Sequence, residues 1–173
     1  MSKVKIAGGA VCSVAAIIAI IAIILSNGQV RTNDRGLELI GNAESCLRDQ
    51  YVCPAGVLTD GIGNTHGVKA GTRKIDAQIA ADWEKNILQA EKCVNTYAAG
   101  ARLSDNTFSA VTSLIFNVGR GAMQKSTLFW MLRQGKEADA CQQFPRWVYA
   151  DGVKLPGLVT RRSKEKALCL DGV

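Results

Sequence analysis

A run of twenty uncharged, mostly apolar residues lies near the start of the chain, at residues 6–25. As an α-helix this run would be about 30 Å long, which matches the hydrocarbon thickness of a bilayer. Lys3 and Lys5 precede it, and positive charge on this side weakly favours an N-terminus inside and a domain outside. The pattern therefore predicts a membrane-spanning helix within residues 1–28, followed by a separate domain at residues 29–173.

The composition of this run leaves its relation to the membrane open. Its first half is rich in glycine and alanine, which contribute little transfer free energy, so its hold on a bilayer should be marginal. Three interpretations remain: a permanent anchor, a cleaved signal peptide, or a segment that first tethers the protein and later leaves the membrane. Cleavage is the weakest of the three, because Ser26-Asn-Gly28 is a poor small-x-small site.

Hydrophobic periodicity beyond a polar linker at residues 27–33 predicts an α+β domain, with one small sheet followed by many helices. A short apolar run at residues 37–40 favours a helix that ends at or just before Glu44. Residues 51–65 are rich in glycine and β-branched residues and predict a hairpin. The later predicted helices are residues 76–95 with Asp76 as N-cap, a helix that begins at Ser104, and residues 127–133, 138–144 and 158–170.

Length and charge limit the classes of function that this chain can have. The residues after position 28 suffice for one domain with its own core, and we expect a monomer. The formal net charge of +6 favours an anionic partner, such as nucleic acid, membrane or cell-wall polymer. No dense run of lysine and arginine is interleaved with aromatic residues, so nucleic acid is the least favoured. A single histidine and six cysteines without a CxxC pair argue against zinc, and we expect no metal and no cofactor.

Glu44, Cys53 and Thr59 are the candidate catalytic residues. Eight residues separate the first two, five separate the last two, and Gly61-Ile-Gly63 follows. Hydrolysis of a glycosidic bond needs a group that protonates the leaving oxygen and groups that position the attacking water. The carboxyl would supply the first, and the thiol and hydroxyl the second. Three other carboxylates lack such a downstream pair: Glu38, Asp49 and Asp60.

This spacing resembles the catalytic loop of the phage-type lysozymes, in which Glu is followed after eight residues by Asp or Cys and after five more by Thr. The resemblance covers residues 36–170. It implies a two-lobed fold, with a small sheet lobe and a helical lobe joined by a long helix near residues 76–95, and a substrate cleft between the lobes. The further motifs that carry it are Phe116-Asn-Val-Gly119, Ser126-Thr-Leu128, Arg146-Trp147-x-x-Ala150-x-Gly152 and Gly157-Leu158-x-x-Arg161-Arg162.

The resemblance implies a role for each member of the triad. Glu44 would be the general acid at the bond between N-acetylmuramic acid and N-acetylglucosamine in peptidoglycan, which requires a protonated carboxyl. Cys53 stands where most relatives carry Asp, and Thr59 would orient the same water. Asn64 departs from the histidine found in many relatives. His66, two residues later, is either its substitute or a solvated loop residue.

Residues outside the triad have less defined roles. We expect Trp83, Trp130 and Trp147 to be core residues rather than sugar-stacking platforms. Arg161 and Arg162 are compatible with ordinary surface positions and with cleft positions alike.

A redox lock is a further hypothesis. Cys46 and Cys53 are seven residues apart in one loop, within disulfide reach if the backbone turns back, and a bond between them would consume the Cys53 thiol. The N-terminal segment, which contains Cys12, resembles the signal-arrest-release segments of some phage lysozymes. Exchange of Cys12 onto Cys46 after release would liberate Cys53. The alternative is that Cys12 is only a small apolar helix residue and Cys46 a packed thiol.

The remaining cysteines have no predicted part in the redox lock, and two of them are candidates for a stabilising disulfide. An even cysteine count in an exported domain is compatible with disulfides. Cys141 and Cys169 lie on two late predicted helices and are a candidate structural disulfide. Cys93 has no assigned partner.

The predicted function is that of an endolysin that hydrolyses peptidoglycan for host lysis. It would be held in the bacterial inner membrane with its catalytic domain in the periplasm, and later released into the periplasm. A non-catalytic, membrane-anchored wall-binding protein is one alternative, because the middle position of the triad is a cysteine. A lytic transglycosylase is another, because such enzymes also use a lone glutamate but leave anhydro-sugar ends.

Overall fold

The computed structural model describes residues 10–25, 29–53 and 56–173. Their architecture is α+β, with helices grouped around one long helix and two separate two-stranded antiparallel sheets. The helices are α1 Val14–Ile20, α2 Asp34–Glu44, α3 Asp76–Tyr97, α4 Asp105–Val118, α5 Arg120–Met123, α6 Thr127–Arg133, α7 Glu137–Cys141 and α8 Pro156–Leu170. The strands are β1 Leu47–Val52, β2 Leu58–Gly61, β3 Tyr149–Ala150 and β4 Val153–Lys154.

The long helix α3 contributes to two hydrophobic clusters. Trp83 and Ile87, in its first half and at its middle, pack in a cluster with residues of α1 and α2. Ala90 and Val94 in its C-terminal half pack in a second cluster with α4, α6, α7 and α8. The two clusters give the two-lobed arrangement that the sequence predicted, with α3 as the connection.

Side-chain caps fix where several helices begin. The Ser104 hydroxyl accepts a hydrogen bond from the Thr107 backbone N–H at 3.1 Å, as predicted for the start of α4. The prediction for α3 was wrong by one residue, since Asp76 is the first helical residue and Ile75 is the N-cap. The Ile75 backbone N–H donates instead to the Gln78 side chain at 3.1 Å, which is one half of a capping box.

The apolar N-terminal segment packs on the domain in this structure. None of the helices that the structure describes is long and apolar enough to cross a membrane, and residues 6–9 of the predicted span lie outside the described part. Residues 10–25 include α1 and a π-helical turn, Ile21–Leu25, with Ile17 and Ile21 buried. Gly41 of α2 permits this approach, because a side chain there would collide with Val14. An apolar run buried in protein has the same sequence pattern as one buried in lipid.

The described part of the predicted polar linker, residues 29–33, is a non-helical connection that polar contacts fix to the domain. Arg31 donates to two backbone carbonyls of the segment after α3, at 2.8 and 2.6 Å, and lies 4.2 Å from the Phe108 ring centroid. Thr32 is buried, and its backbone N–H and hydroxyl both donate to Glu91 at 2.7 Å. Polar residues can therefore anchor a segment, which their polarity alone does not indicate.

Two differences from the predicted elements occur near the C-terminus. The helix predicted at 138–144 ends at Cys141 and continues as a short 3₁₀ turn, Phe144–Arg146, because a proline at 145 disfavours α-helix at the residue before it. The β3–β4 hairpin was not predicted. Its signal is the Asp151-Gly152 pair, which has φ of 49° and 76° and forms the tight turn typical of two-residue hairpins.

The expectation that all three tryptophans lie in the core was wrong for one of them. Trp83 is fully buried, and Trp147 is half-buried against the second cluster. Trp130 is 48% exposed, because the inner face of α6 is already formed by Leu128 and Leu132.

Candidate active site between the lobes

Glu44 is the last residue of α2, and its side chain is 24% exposed. The helix stops there because Ser45 has φ 65° and ψ 173°, a region that residues with a side chain rarely adopt. Gly63 packs on the Glu44 carboxyl. A Cβ on Gly63 would lie 3.1 Å from Glu44 Oε2, and its φ is +66°, so both the close approach and the backbone favour glycine. The end of α2 therefore presents a half-buried carboxyl to the Gly61-Ile-Gly63 turn.

Arg161 of α8 holds the other carboxylate oxygen. Its Nη1 donates to Glu44 Oε1 at 2.8 Å, and its Nη2 donates to the Ser113 backbone carbonyl at 3.3 Å. The Arg161 side chain is 8% exposed, so this contact joins the two lobes in a largely desolvated place. Sequence reasoning left Arg161 equally compatible with the surface, and the structure assigns it to the site. The Gly-Leu-x-x-Arg-Arg motif is the signal that pointed to it.

Glu165 in turn fixes Arg161. The fully buried Glu165 accepts from Arg161 Nε at 3.1 Å and from the Ser113 hydroxyl at 2.6 Å, and it pairs with Arg162 at 2.6 Å. Burial raises the pKa of Glu165, although the neighbouring guanidinium groups oppose this effect. Burial also lowers the pKa of Arg162 to about 10, so Arg162 stays protonated at neutral pH. A buried network of the helical lobe therefore sets the position of the group that contacts Glu44.

The β1–β2 hairpin carries the other two candidate residues. Tyr51 lies opposite Thr59 in the antiparallel register, so their side chains share one face, and Cys53 lies two residues beyond Tyr51. The Cys53 backbone N–H donates to the Val57 carbonyl at 2.9 Å, which extends the ladder past the strand end. Burial raises the pKa of Tyr51, and the negative charges of Glu44 and Cys53 raise it further. The phenol of Tyr51 therefore lies within the electrostatic field of both residues.

Thr59 is nearly fully buried, and its hydroxyl donates to the Val57 carbonyl at 3.0 Å. A hydroxyl that donates to the backbone keeps its lone pairs for a further donor, such as a water molecule. The turn residues 54–55 lie outside the described part of the chain.

The loop after β2 is fixed by polar contacts rather than by its histidine. The Asn64 side chain donates to Asp60 Oδ1 at 2.9 Å and to the His66 carbonyl at 3.0 Å, whereas the His66 side chain is exposed. Lys74 donates to Asp60 at 2.7 Å and to Asp82 at 2.6 Å. Burial disfavours the Lys74 charge, but these two bonds outweigh it and raise the Lys74 pKa. Asp60, one of the alternative carboxylates, is therefore committed to holding this loop.

A depression of about 260 Å³ lies between the lobes. Gly63 and His66 line it from the hairpin side, and Phe116 and Gly119 line it from the helical lobe. Asn86 of α3 also lines it. Gly63 both lines this depression and packs on the Glu44 carboxyl, so it links the two.

Comparisons with known proteins decide the family. The phage lysozyme family model matches residues 41–165. The chain belongs to the phage lysozyme family. It is 50% identical over 182 residues to the SAR-endolysin of Escherichia phage P1, a match that covers 99% of this chain and 97% of that protein.

Two solved structures resemble this phage lysozyme to different degrees. The crystal structure of the active form of the P1 phage endolysin matches with a TM-score of 0.90, covering 95% of this chain and 97% of that one, at 50% identity. The secreted inactive form of the same endolysin matches with a TM-score of 0.59, covering 82% and 96%, at the same identity. The conformation of this family member is therefore closer to the active form.

Four of the six cysteines of this lysozyme form two disulfide bonds. Cys12 is bonded to Cys46, with 5.1 Å between the Cα atoms, so the N-terminal segment is joined covalently to the residue two positions after Glu44. Backbone contacts follow the same path, since the Cys12 N–H donates to the Cys46 carbonyl at 3.1 Å. Cys53 lies outside both bonds. The second bond joins Cys141 of α7 to Cys169 of α8, the pair named as a candidate from the sequence.

Proposed function

We propose that this chain is a signal-arrest-release endolysin that hydrolyses the β-1,4 bond between N-acetylmuramic acid and N-acetylglucosamine in peptidoglycan, with Glu44 as the general acid. The observation that carries the proposal is that the Glu44 carboxyl packs on Gly63, which lines the depression between the lobes, and accepts a hydrogen bond from Arg161 of the helical lobe. Membership of the phage lysozyme family and the match to a SAR-endolysin support the same reaction.

The two oxygens of Glu44 have different roles in this proposal. Oε1 accepts the hydrogen bond from Arg161, so the catalytic proton is carried by Oε2, on the side of Gly63. Oε2 gives this proton to the leaving glycosidic oxygen as the bond to the anomeric carbon breaks. Cys53 and Thr59 orient a water molecule, which adds its hydroxyl to the anomeric carbon while its proton passes to the Cys53 sulfur. Proton exchange with solvent then returns a proton to Glu44 and removes one from the Cys53 sulfur, which restores both groups.

The proposed regulation divides the chain at residues 1–28 and 29–173. In the tethered form residues 6–25 span the inner membrane, the domain lies in the periplasm, and a Cys46–Cys53 disulfide removes the thiol from the site. After the segment leaves the bilayer, the Cys12 thiolate attacks the Cys46 sulfur, the Cys12–Cys46 bond forms, and Cys53 leaves as a thiolate. This exchange needs no oxidant. It is supported by the Cys12–Cys46 bond in a conformation close to the active form.

Replacement of Glu44 by glutamine tests the reaction. Glu44→Gln keeps the shape and removes the acid, so the release of reducing sugar ends from purified wall should fall by roughly 10²–10⁴-fold, the usual contribution of a general acid. Glu137→Gln on α7, far along the chain from the triad, is the matched control and should retain activity. Thermal unfolding of both variants would establish that they fold.

Undiminished wall hydrolysis by Glu44→Gln would contradict the assignment of the acid. Product analysis of the unaltered protein separates the alternatives: anhydro-sugar ends would indicate a transglycosylase, and wall binding without cleavage would indicate a binding protein.

A further inference from the structure

Tyr51 of β1 shares one face of the β1–β2 hairpin with two of the candidate catalytic residues. It lies opposite Thr59 in the antiparallel register, and Cys53 follows two residues later on the same face. The ladder continues to Cys53, whose backbone N–H donates to the Val57 carbonyl at 2.9 Å. The hairpin therefore places the three side chains next to one another.

The Tyr51 phenol can reach the Cys53 sulfur. Alternate residues of a strand are about 7 Å apart, a distance that an aromatic side chain spans. Tyr51 is half-buried, so water only partly screens a hydrogen bond that its hydroxyl makes.

Acidic groups surround the Tyr51 hydroxyl. Burial raises the pKa of Tyr51, and the negative charges of Glu44, Cys53 and Asp60 raise it further. The phenol therefore keeps its proton at neutral pH and acts as a hydrogen-bond donor toward these groups.

The two carboxylates of this group are held from other parts of the fold. Arg161 of α8 donates to Glu44 at 2.8 Å, and Lys74 donates to Asp60 at 2.7 Å. Both carboxylates thus have a charged donor, and the phenol can serve the third acidic group, the Cys53 sulfur.

The proposed reaction requires an ionised sulfur at Cys53, because the attacking water passes its proton there. An ordinary cysteine thiol is mainly protonated at neutral pH. A hydrogen bond to the ionised form favours ionisation. The Thr59 hydroxyl uses its hydrogen elsewhere, since it donates to the Val57 carbonyl at 3.0 Å.

We propose that Tyr51 is a positioning residue for the hydrolysis, whose phenol donates a hydrogen bond to the Cys53 sulfur and stabilises the thiolate that accepts the proton of the attacking water. The inference rests on the proposed function and adds Tyr51 to it. An aspartate at position 53 would ionise at neutral pH without this donor. The role of Tyr51 therefore follows from the cysteine in the triad.

Alkylation of Cys53 tests the hydrogen bond without relying on hydrolysis. Iodoacetamide reacts with the thiolate, so its rate of incorporation at Cys53 in the released protein, followed by mass spectrometry over a range of pH, gives the midpoint of ionisation. Tyr51→Phe keeps the ring and removes the donor. It should raise this midpoint by about one pH unit, the usual effect of one hydrogen bond to a charged group. Tyr149→Phe makes the same change at an exposed strand position and should leave the midpoint unaltered.

Hydrolysis of purified wall gives the second test. At pH 7 Tyr51→Phe should lower kcat about tenfold and leave KM within about twofold, because the thiolate fraction falls by that factor when the midpoint rises by one unit. In a Cys53→Asp background the same change at Tyr51 should cost less than about twofold, because the carboxylate ionises unaided.

An unchanged alkylation midpoint in Tyr51→Phe would overturn the inference. An equal loss of kcat in the Cys53 and Cys53→Asp backgrounds would also overturn it, since that result indicates a purely structural role. If the unaltered protein released no sugar ends from wall while the midpoint still moved, the proposed function would fail, and the hydrogen bond from Tyr51 to Cys53 would be confirmed.

Discussion

The two disulfides of this phage lysozyme are similar in geometry and different in what they join. Their Cα separations are 5.1 and 5.6 Å, and they close loops of similar length, 34 and 28 residues. Chain entropy alone would give both about the same stabilisation, roughly 3–4 kcal/mol. Cys141–Cys169 joins two helices inside the second hydrophobic cluster, where both sulfurs are fully buried. Cys12–Cys46 joins the N-terminal segment to the loop that follows Glu44.

Under the proposed mechanism, the bond in the helical lobe serves stability and the bond to Cys12 controls activity. Around Cys46 the N-terminal segment also adds backbone contacts to the edge of β1, since the Arg48 N–H donates to the Ala10 carbonyl at 2.9 Å and Val11 bridges Leu47. The position of the candidate acid therefore depends on a segment that the proposed mechanism places in the membrane first. The helical lobe has no such dependence on residues 10–25, because its bond lies within its own cluster.

The largest effect is expected from Cys12. In Cys12→Ser the exchange cannot occur, so the released protein should keep the Cys46–Cys53 bond and lose at least about a hundredfold of its hydrolytic rate, because a misplaced or blocked catalytic group costs this much. Turbidity loss of wall suspensions measures it. Cys46→Ser leaves Cys53 available from the start and should be active without release. Equal activity of Cys12→Ser and Cys46→Ser would contradict the proposed control of activity by the Cys12–Cys46 bond.

The bond of the helical lobe should affect stability alone. Cys141→Ser with Cys169→Ser should lower the free energy of unfolding by about 3 kcal/mol while the rate per folded molecule stays unchanged. Urea unfolding and wall hydrolysis, measured on the same preparation, check both parts. A large loss of rate below the unfolding transition would show that this bond also controls the site.

Ser45 offers the smallest and most local test. Its φ of 65° and ψ of 173° place it in a region that costs a residue with a side chain about 1–3 kcal/mol, and glycine relieves this strain at some cost in unfolded-chain entropy. Ser45→Gly should therefore raise the stability of the form with the Cys12–Cys46 bond by about 1 kcal/mol, measured by thermal unfolding. Ser163→Gly, an exposed position within α8, should instead destabilise by about 0.5 kcal/mol. A loss of stability in Ser45→Gly would mean that the backbone at Ser45 is not strained.

Much of the fold was predictable because its signals are local. The apolar stripe of α3 and the cap at Ser104 depend on residues within a few turns of each other, and both predictions are confirmed. Local signals could not predict whether residues 10–25 pack on the domain or lie in a membrane, because an apolar run of this kind suits a protein core and a bilayer equally well.

The candidate site was predictable in part for a similar reason. The spacing of Glu44, Cys53 and Thr59 is visible in one short segment. The contact from Arg161 to Glu44 spans 117 residues, and no local pattern reports which carboxylate a buried arginine meets. A sequence motif contains Arg161, but its burial and its ion pair with Glu165 are visible only in the three-dimensional structure.

Peptide mapping without reduction, applied to the tethered and the released protein, tests the central claim most directly. The account predicts a Cys46–Cys53 linkage in the membrane fraction and a Cys12–Cys46 linkage in the released, active fraction, with Cys141–Cys169 in both. A Cys12–Cys46 linkage already present in the tethered, inactive protein would contradict it.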